Sequence, residues 1–346
     1  MASLSSGRIA TIRDVARHAG VSIATVSATI NRTAYVSPVL QDRVRHAIAE
    51  TGYYPDGIAR SLKKRATQTL GLIISDITNP FFTALVRGIE DAANARGHAV
   101  ILCNTDERLE KERAYLALLR SRRVDGVIMA PAGAVEDYHR FILDGQTPLV
   151  FIDRRVPTLP ADAVVVDNVA GARQAVAHLA ALGHRRIGAI TGLPQISTTL
   201  ERIQGYRDAL AGTGIPVDSE LLRDGHSRLE GGYQAGRALL DLPRRPTAIF
   251  ATNNLMAIGL MRAVAERDLR CPEDLSVVCF DDFEWASVFR PRLTTVAQPT
   301  YAMGTKAVEL LFARLDGASP VGAQEIVLSP SLVVRDSCAS PSEPRR

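Results

Sequence analysis

The sequence predicts a small all-α head joined to a much larger α/β core. Residues 11–52 hold three helical stripes, each opened by a capping residue, the first and third closed by glycine. From Thr69 onward, eight nearly continuous apolar runs alternate with helical stretches, as parallel strands covered on both faces require. Charge divides at the same place. Residues 1–65 carry a net +6 and the remainder −2, within a whole-chain charge of +4. A basic head on a slightly acidic body is the electrostatic footprint of phosphate binding by the head alone.

The head begins with TIRDVARHAGVSIATVSATIN, residues 11–31. Ile12, Val15, Ala16 and Ala19 recur at i, i+3, i+4 and i+7, one apolar helix face. Thr11 can cap this helix, with Asp14 three residues later as in a capping box. Gly20 is placed to end it in the left-handed conformation. Ser22 can cap a second helix whose Val26 and Ile30 face inward. Two short helices joined by a tight Gly-containing turn form the helix-turn-helix that lays its second helix in the DNA major groove. Two ordinary core helices fit the same spacing. Ser37-Pro38 opens a third helix with Leu40, Val44, Ala47 and Ile48 inward, ending at Gly52. Tyr53-Tyr54-Pro55 breaks the pattern, and Asp56 can cap the short segment GIARSLKK.

In the core, strands are expected at 70–75, 99–103, 124–130, 148–152, 163–166, 186–191, 247–252 and 275–280. Helices are expected at 81–96, 108–121, 135–143, 169–182, 199–211, 231–241, 254–267 and 299–315. Eight strands make either one large sheet or two smaller doubly wound ones. In both cases ligands belong outside the carboxyl ends of the strands.

Several functional classes lack sequence support. No apolar run reaches the roughly 18–20 residues of a membrane span, and the N-terminal residues carry no apolar signal core. Cys103, Cys271, Cys279 and Cys338 form no CxxC pair, so a reduced protein without a metal site is expected. His178 and His184 are expected in surface or capping roles. There is no GxGxxG after a strand, no GxxxxGK[ST] and no GxSxG, so neither cofactor nor enzymatic activity is expected.

These segments resemble the LacI-type (lactose and purine repressor) family of bacterial regulators over about residues 9–336. The resemblance rests on the head pattern, on GIARSLKK, and on the core segments TLGLIISDITNPFF, RRVDGVIM, ERIQGYRDAL, FATNNLMAIGLMRA and FDDFEWASVFRPRLTTVAQP, in that order. It implies a helix-turn-helix head at 9–55 and a hinge helix and linker at 56–67. The core at 68–336 would be a periplasmic-binding-protein-like pair of doubly wound parallel-sheet subdomains, about 68–166 plus 298–328 and about 167–297 plus 329–336. Residues 337–346 would be a polar tail. The resemblance further implies a cytoplasmic homodimer on near-palindromic double-stranded operator DNA, tuned by a small-molecule effector, a sugar or sugar derivative, in the core cleft. The tail has no leucine heptads, so a dimer rather than a coiled-coil tetramer is expected.

By the same resemblance the base-reading positions are Ile23, Ala24 and Ala28. They donate no hydrogen bond to guanine but can touch thymine methyls, so direct readout is expected to be weak or shape-based. Thr11, Ser22, Thr25, Ser27, Asn31 and Arg32 are placed for backbone contacts. In the hinge, Leu62 matches a leucine that wedges between central base pairs. Ala59 lies on the same face, and Lys63 belongs to a flanking basic run. The effector set maps to Asn79, Phe81, Phe82, Asp153, Arg154, Thr198, Arg202, Asn253, Asp281 and Trp285, with Arg154 and Arg202 open to an acidic sugar or a sugar phosphate. Ile196 stands where purine-binding members carry an arginine, which points away from a purine. Asn254 replaces an aspartate common in the family and would remove a charge from the cleft edge. A stand-alone solute-binding protein would share the core but have no use for the basic head. Steep salt dependence of operator binding separates the two.

Overall fold

The computed structural model describes residues 10–54, 66–133, 147–156, 158–318 and 321–341. Contacts divide the chain into two units, Met1–Thr67 and Gln68–Arg346. The first holds α1 (Ile12–Ala19), α2 (Ile23–Asn31) and α3 (Pro38–Thr51). Val15, Ala16, Ala19, Val26, Val44 and Ala47 close its core, with Ile12, Ile30 and Ile48 packed against them. The expected punctuation is present. Thr11 N and Oγ1 both donate to Asp14 Oδ2, at 2.9 and 2.7 Å. Gly20 takes φ 60°, and a Cβ there would lie 2.7 Å from Arg43 Nη2, whose guanidinium donates to the Ala19 carbonyl at 2.6 Å. Glycine is therefore favoured at this turn for its backbone angle, and a side chain there would also have to push the Arg43 guanidinium aside.

The second unit contains two six-stranded sheets. The chain order is β1 (Thr69–Ile74), α4 (Pro80–Ala95), β2 (Ala99–Asn104), α5 (Leu109–Ser121), β3 (Gly126–Met129), β4 (Leu149–Ile152), β5 (Asp162–Val166), α6 (Asn168–Ala181), β6 (Ile187–Thr191), α7 (Ser197–Gly212), β7 (Leu222–Asp224), α8 (Leu229–Leu240), β8 (Ala248–Ala251), α9 (Asn254–Ala265), β9 (Ser276–Phe280), β10 (Thr294–Ala297), α10 (Thr300–Leu315), β11 (Glu325–Leu328) and β12 (Ser331–Val333). One sheet runs β11-β5-β4-β3-β1-β2 and the other β12-β10-β9-β8-β6-β7. The two orders correspond strand for strand. Every described pairing is parallel except β12 on β10. The chain passes between the sheets after β5, after β10 and between β11 and β12, so each half is completed by a late strand. Helix α10 returns to the first half and packs on α4 through two glycines. A Cβ on Gly88 would lie 2.4 Å from the Tyr301 carbonyl oxygen, and one on Gly304 2.7 Å from that of Leu85.

The eight expected strands form, and four more do so without having been expected: β7, β10, β11 and β12. β7, β11 and β12 are edge strands, and β11 and β12 are only partly buried, so they lack the continuous apolar run that marks a central strand. The helix expected at 135–143 lies outside the described residues. The expected polar tail is not a free tail as far as residue 341. Ser337 is fully buried, donates from Oγ to the Val277 carbonyl at 2.6 Å and accepts the Thr294 amide at 2.8 Å. His184, expected at the surface or a cap, is 1% exposed and bridges Thr247 Oγ1 and the Ala339 carbonyl at 2.8 and 2.9 Å. The returning chain gives this histidine a partner that local sequence could not reveal.

Candidate functional site

Two surfaces carry the predicted site residues. In the head, Ser22 Oγ accepts the Thr25 amide at 3.0 Å and starts α2. Val26 is fully buried and Ile30 half-buried, which fixes the inward side of the helix. At about 100° per residue, Ala24 and Ala28 fall on the opposite side. Ile23 is 46% exposed at the helix start and Ala24 is exposed. The polar side chains of α2 turn back on their own helix. Thr25 Oγ1 meets Ser22 Oγ at 2.9 Å, Thr29 Oγ1 donates to the Thr25 carbonyl at 2.9 Å, and Asn31 Nδ2 donates to the carbonyl and hydroxyl of Ser27 at 2.9 and 3.3 Å. Arg32 is exposed and ends the helix at φ 52°. The hinge residues Ala59, Leu62 and Lys63 lie outside the described residues.

In the core, the carboxyl ends of the strands converge on one cleft. It brings together Asn79, Phe81, Phe82, Asp153, Arg154, Thr198, Arg202, Asn253 and Asp281, nine of the ten expected effector residues. Asp153 and Asp281 occupy corresponding places, directly after β4 and β9. Both have left-handed backbones, φ 66° and 72°, and both amides donate to the neighbouring strand at 3.0 Å, to Val164 and Val296. A matched pair of strained aspartates facing one cleft is the kind of backbone cost that accompanies a binding site. Phe81 and Phe82, 5.0 Å apart and edge-to-face, line the cleft while packing into the first half's core. Asn79 and Asn253 cap α4 and α9, accepting the amides of Phe81 and Met256 at 2.9 and 2.8 Å.

Each arginine that lines the cleft already meets a carboxylate. Arg154 donates from Nη1 and Nη2 to Glu107 at 2.7 Å each, with Nε 3.2 Å from Asp153. Arg202 lies over the Phe280 ring at 3.8 Å, donates to Asn168 Oδ1 and the Thr252 carbonyl at 2.9 and 2.7 Å, and stands 3.5 Å from Asp281. Arg228, from the second half, reaches across to Asp76 at 3.3 Å and to the Asp106 carbonyl at 2.8 Å in the first. Among these lining residues, Asp76, Glu107, Asp153 and Asp281 outnumber the three arginines. Burial pushes Asp153 up to about 6 and, behind the cleft wall, Glu112 up to about 7.

Trp285 is a correction. It is 54% exposed and stands edge-to-face with Phe283, in a groove with Pro80 and Thr83 rather than in the cleft. The short turn after Phe283 carries it outward. Asn254 is also displaced from its expected place. It is fully buried and is not among the residues that line the cleft. Sequence reading missed Asp76, Glu107, Arg228 and Thr252. Asp76, Glu107 and Thr252 follow β1, β2 and β8 closely, so the carboxyl-end rule could have found them. Arg228 could not be found, because its role depends on which loop faces it across the cleft.

Family models match at both ends of the chain: "Bacterial regulatory proteins, lacI family" over residues 11–56 and "Periplasmic binding protein-like domain" over residues 176–338. The chain is similar to the HTH-type transcriptional repressor PurR of Vibrio atlanticus (strain LGP32), 37% identical over 309 residues, 89% of this chain and 92% of that one. Its fold is similar to the lac repressor dimer bound to operator and an anti-inducer, with TM-score 0.84, 28% identity, and coverage of 96% of this chain and 100% of that one. It is also similar to a LacI family transcriptional regulator from Enterococcus faecium with bound ribose, with TM-score 0.73, 34% identity, and coverage of 79% and 100%. Among the described residues no helix is long and apolar enough to cross a membrane.

Proposed function

Because this chain belongs to the lacI family of bacterial regulatory proteins and is a ligand-responsive, DNA-binding transcriptional regulator rather than an enzyme, we propose that it is a cytoplasmic homodimeric repressor whose effector is an uncharged sugar. The observation that carries the effector class is the pairing of every lining arginine with a carboxylate. A phosphate or uronate entering the cleft would meet four carboxylates, Asp76, Glu107, Asp153 and Asp281, whose charge already offsets the three arginines, so its own charge would go uncompensated at a cost of several kcal/mol. Hydroxyl groups face no such cost. They donate to Asp153 and Asp281 and accept from the outer N–H groups of Arg202 and from Asn253 and Thr198, while Phe81 and Phe82 cover the apolar C–H face of the ring. The relative from Enterococcus faecium holds ribose, which supports the same class.

At the other end, α2 enters the major groove, Thr11, Ser22, Thr25, Ser27, Asn31 and Arg32 fix its register, and Ala59, Leu62 and Lys63 act at the operator centre. The exposed apolar side chains Trp285 and Val288 on the second half are offered to the partner protomer. Effector and operator are linked, so each changes the other's affinity by the same factor.

Calorimetric titration of the full chain with ribose, xylose, glucose, galactose and cellobiose, beside ribose 5-phosphate, glucose 6-phosphate and glucuronate, tests the effector class. Binding is expected within the neutral set only. Tighter binding of a phosphorylated or acidic sugar would overturn it.

A further inference from the structure

We infer that this head reads its operator half-site through thymine C5-methyl groups rather than through hydrogen bonds to base edges. The inference rests on the DNA-binding reading and sharpens it, because it names the chemical group that carries sequence information. A helix in the major groove can read a base in two ways, by pairing with its donors and acceptors or by apolar contact with the thymine methyl. The outward side of α2 has little to offer for the first. Ala24 and Ala28 lie opposite the buried Val26 and half-buried Ile30, and Ile23 stands 46% exposed at the helix start.

The polar groups on the same helix are engaged locally. Ser22 and Thr25 hold each other at the cap, Thr29 is bonded to the Thr25 carbonyl, and Asn31 is bonded to Ser27. α2 carries no charged side chain from Ile23 to Asn31. Redirecting the Thr29 hydroxyl proton or the Asn31 amide protons toward a base means giving up a bond each already makes, which removes most of the net gain. Apolar contact has no such cost. Ile23 is an aliphatic side chain held out in water by the helix start, and covering it with a thymine methyl removes apolar surface from both partners. The backbone is still engaged electrostatically by the basic head, so affinity and selectivity come from separate groups.

The experiment uses the full chain and synthetic duplexes. A sequence enriched from a random DNA pool is resynthesised with deoxyuridine replacing thymine at one position at a time. This removes the methyl and leaves base pairing unchanged. At one to three positions per half-site, affinity measured by fluorescence anisotropy is expected to fall about fourfold per methyl. The same substitutions in flanking DNA are expected to have no effect. Ile23→Ala, at an exposed position, is expected to keep the head's thermal transition and to abolish the methyl effect at one position only. Unchanged affinity for deoxyuridine at every half-site position would overturn the inference while leaving operator binding intact. Failure of the pool to enrich any sequence would overturn the DNA-binding reading and this inference together.

Discussion

On α2 the chain turns methyl and aliphatic groups outward, and each polar side chain from Thr25 to Asn31 is bonded within the helix or its cap. In the core cleft the arrangement is reversed. Buried carboxylates and guanidinium groups crowd the lining, and Phe81, Phe82 and Met256 are the apolar minority. The two surfaces face different solvents. On the reading proposed above, α2 meets a dense charge field and a hydrated groove, where a small apolar helix face would add selectivity that the charges cannot supply. A cleft closing on a small polar molecule excludes water, and there each hydrogen bond discriminates strongly because an unmade one is costly. On that reading, selectivity in each case falls to the kind of group that the bulk of the interface lacks.

The cleft side of this contrast can be broken most severely at Arg202. Replacing it with alanine removes its bonds to Asn168 and Thr252 and leaves Asp281 without its cation. A loss of about 3–5 kcal/mol of core stability is expected in urea denaturation, with loss of sugar binding. Glu112 tests the buried carboxylates from the other direction. Its pKa is raised on folding to about 7, so the folded protein holds its proton more tightly than the unfolded chain. Its effect on stability is absent below the ordinary carboxylate range, grows unfavourable as pH rises from there to about 7, and is constant above that. Glu112→Gln should therefore match the parent near pH 4 and exceed it by up to about 3 kcal/mol at pH 8. Equal stability at pH 8 would show that the charge is well compensated.

Glu107→Gln sharpens the argument about ligand charge. It costs about 2 kcal/mol of stability and releases Arg154 from its bidentate partner. Ribose 5-phosphate or glucuronate is then expected to bind where it did not before. On the DNA side, Leu62→Ala is expected to leave the thermal transitions unchanged and to weaken operator binding at least tenfold, about 1.4 kcal/mol. The smallest effect is at Ser22, whose Oγ caps α2. Ser22→Ala should cost the head about 1 kcal/mol with no change in the core transition.

Much of this architecture is local and was therefore legible. Thr11, Asp14, Gly20 and Ser22 act within a few residues of themselves, so their roles follow from spacing. The central strands bury both faces and read as unbroken apolar runs, except β10, whose buried Thr294 and Thr295 break the pattern and hid it. The edge strands β11 and β12 show no such run, because neither has a fully buried residue and their placement depends on the chain returning. In the cleft, residue types at strand ends were visible and their pairings were not. Arg154 and Arg202 looked free for an acidic ligand until the fold set Glu107 and Asp281 beside them. Trp285 looked like a stacking platform until the turn after Phe283 carried it outside.

The sequence by itself determined the two-part organisation, the helix-turn-helix spacing and the apolar residue types at Ile23, Ala24 and Ala28, because periodicity, capping and residue type act at short range, whereas the reading role of α2 is what the family resemblance implies. Only the tertiary structure decided the charge state of the cleft. A buried arginine is a site for anions or a neutralised structural group depending on what lies within about 4 Å of it, and here those neighbours, Glu107 for Arg154 and Asp281 for Arg202, come from strand ends distant in the chain.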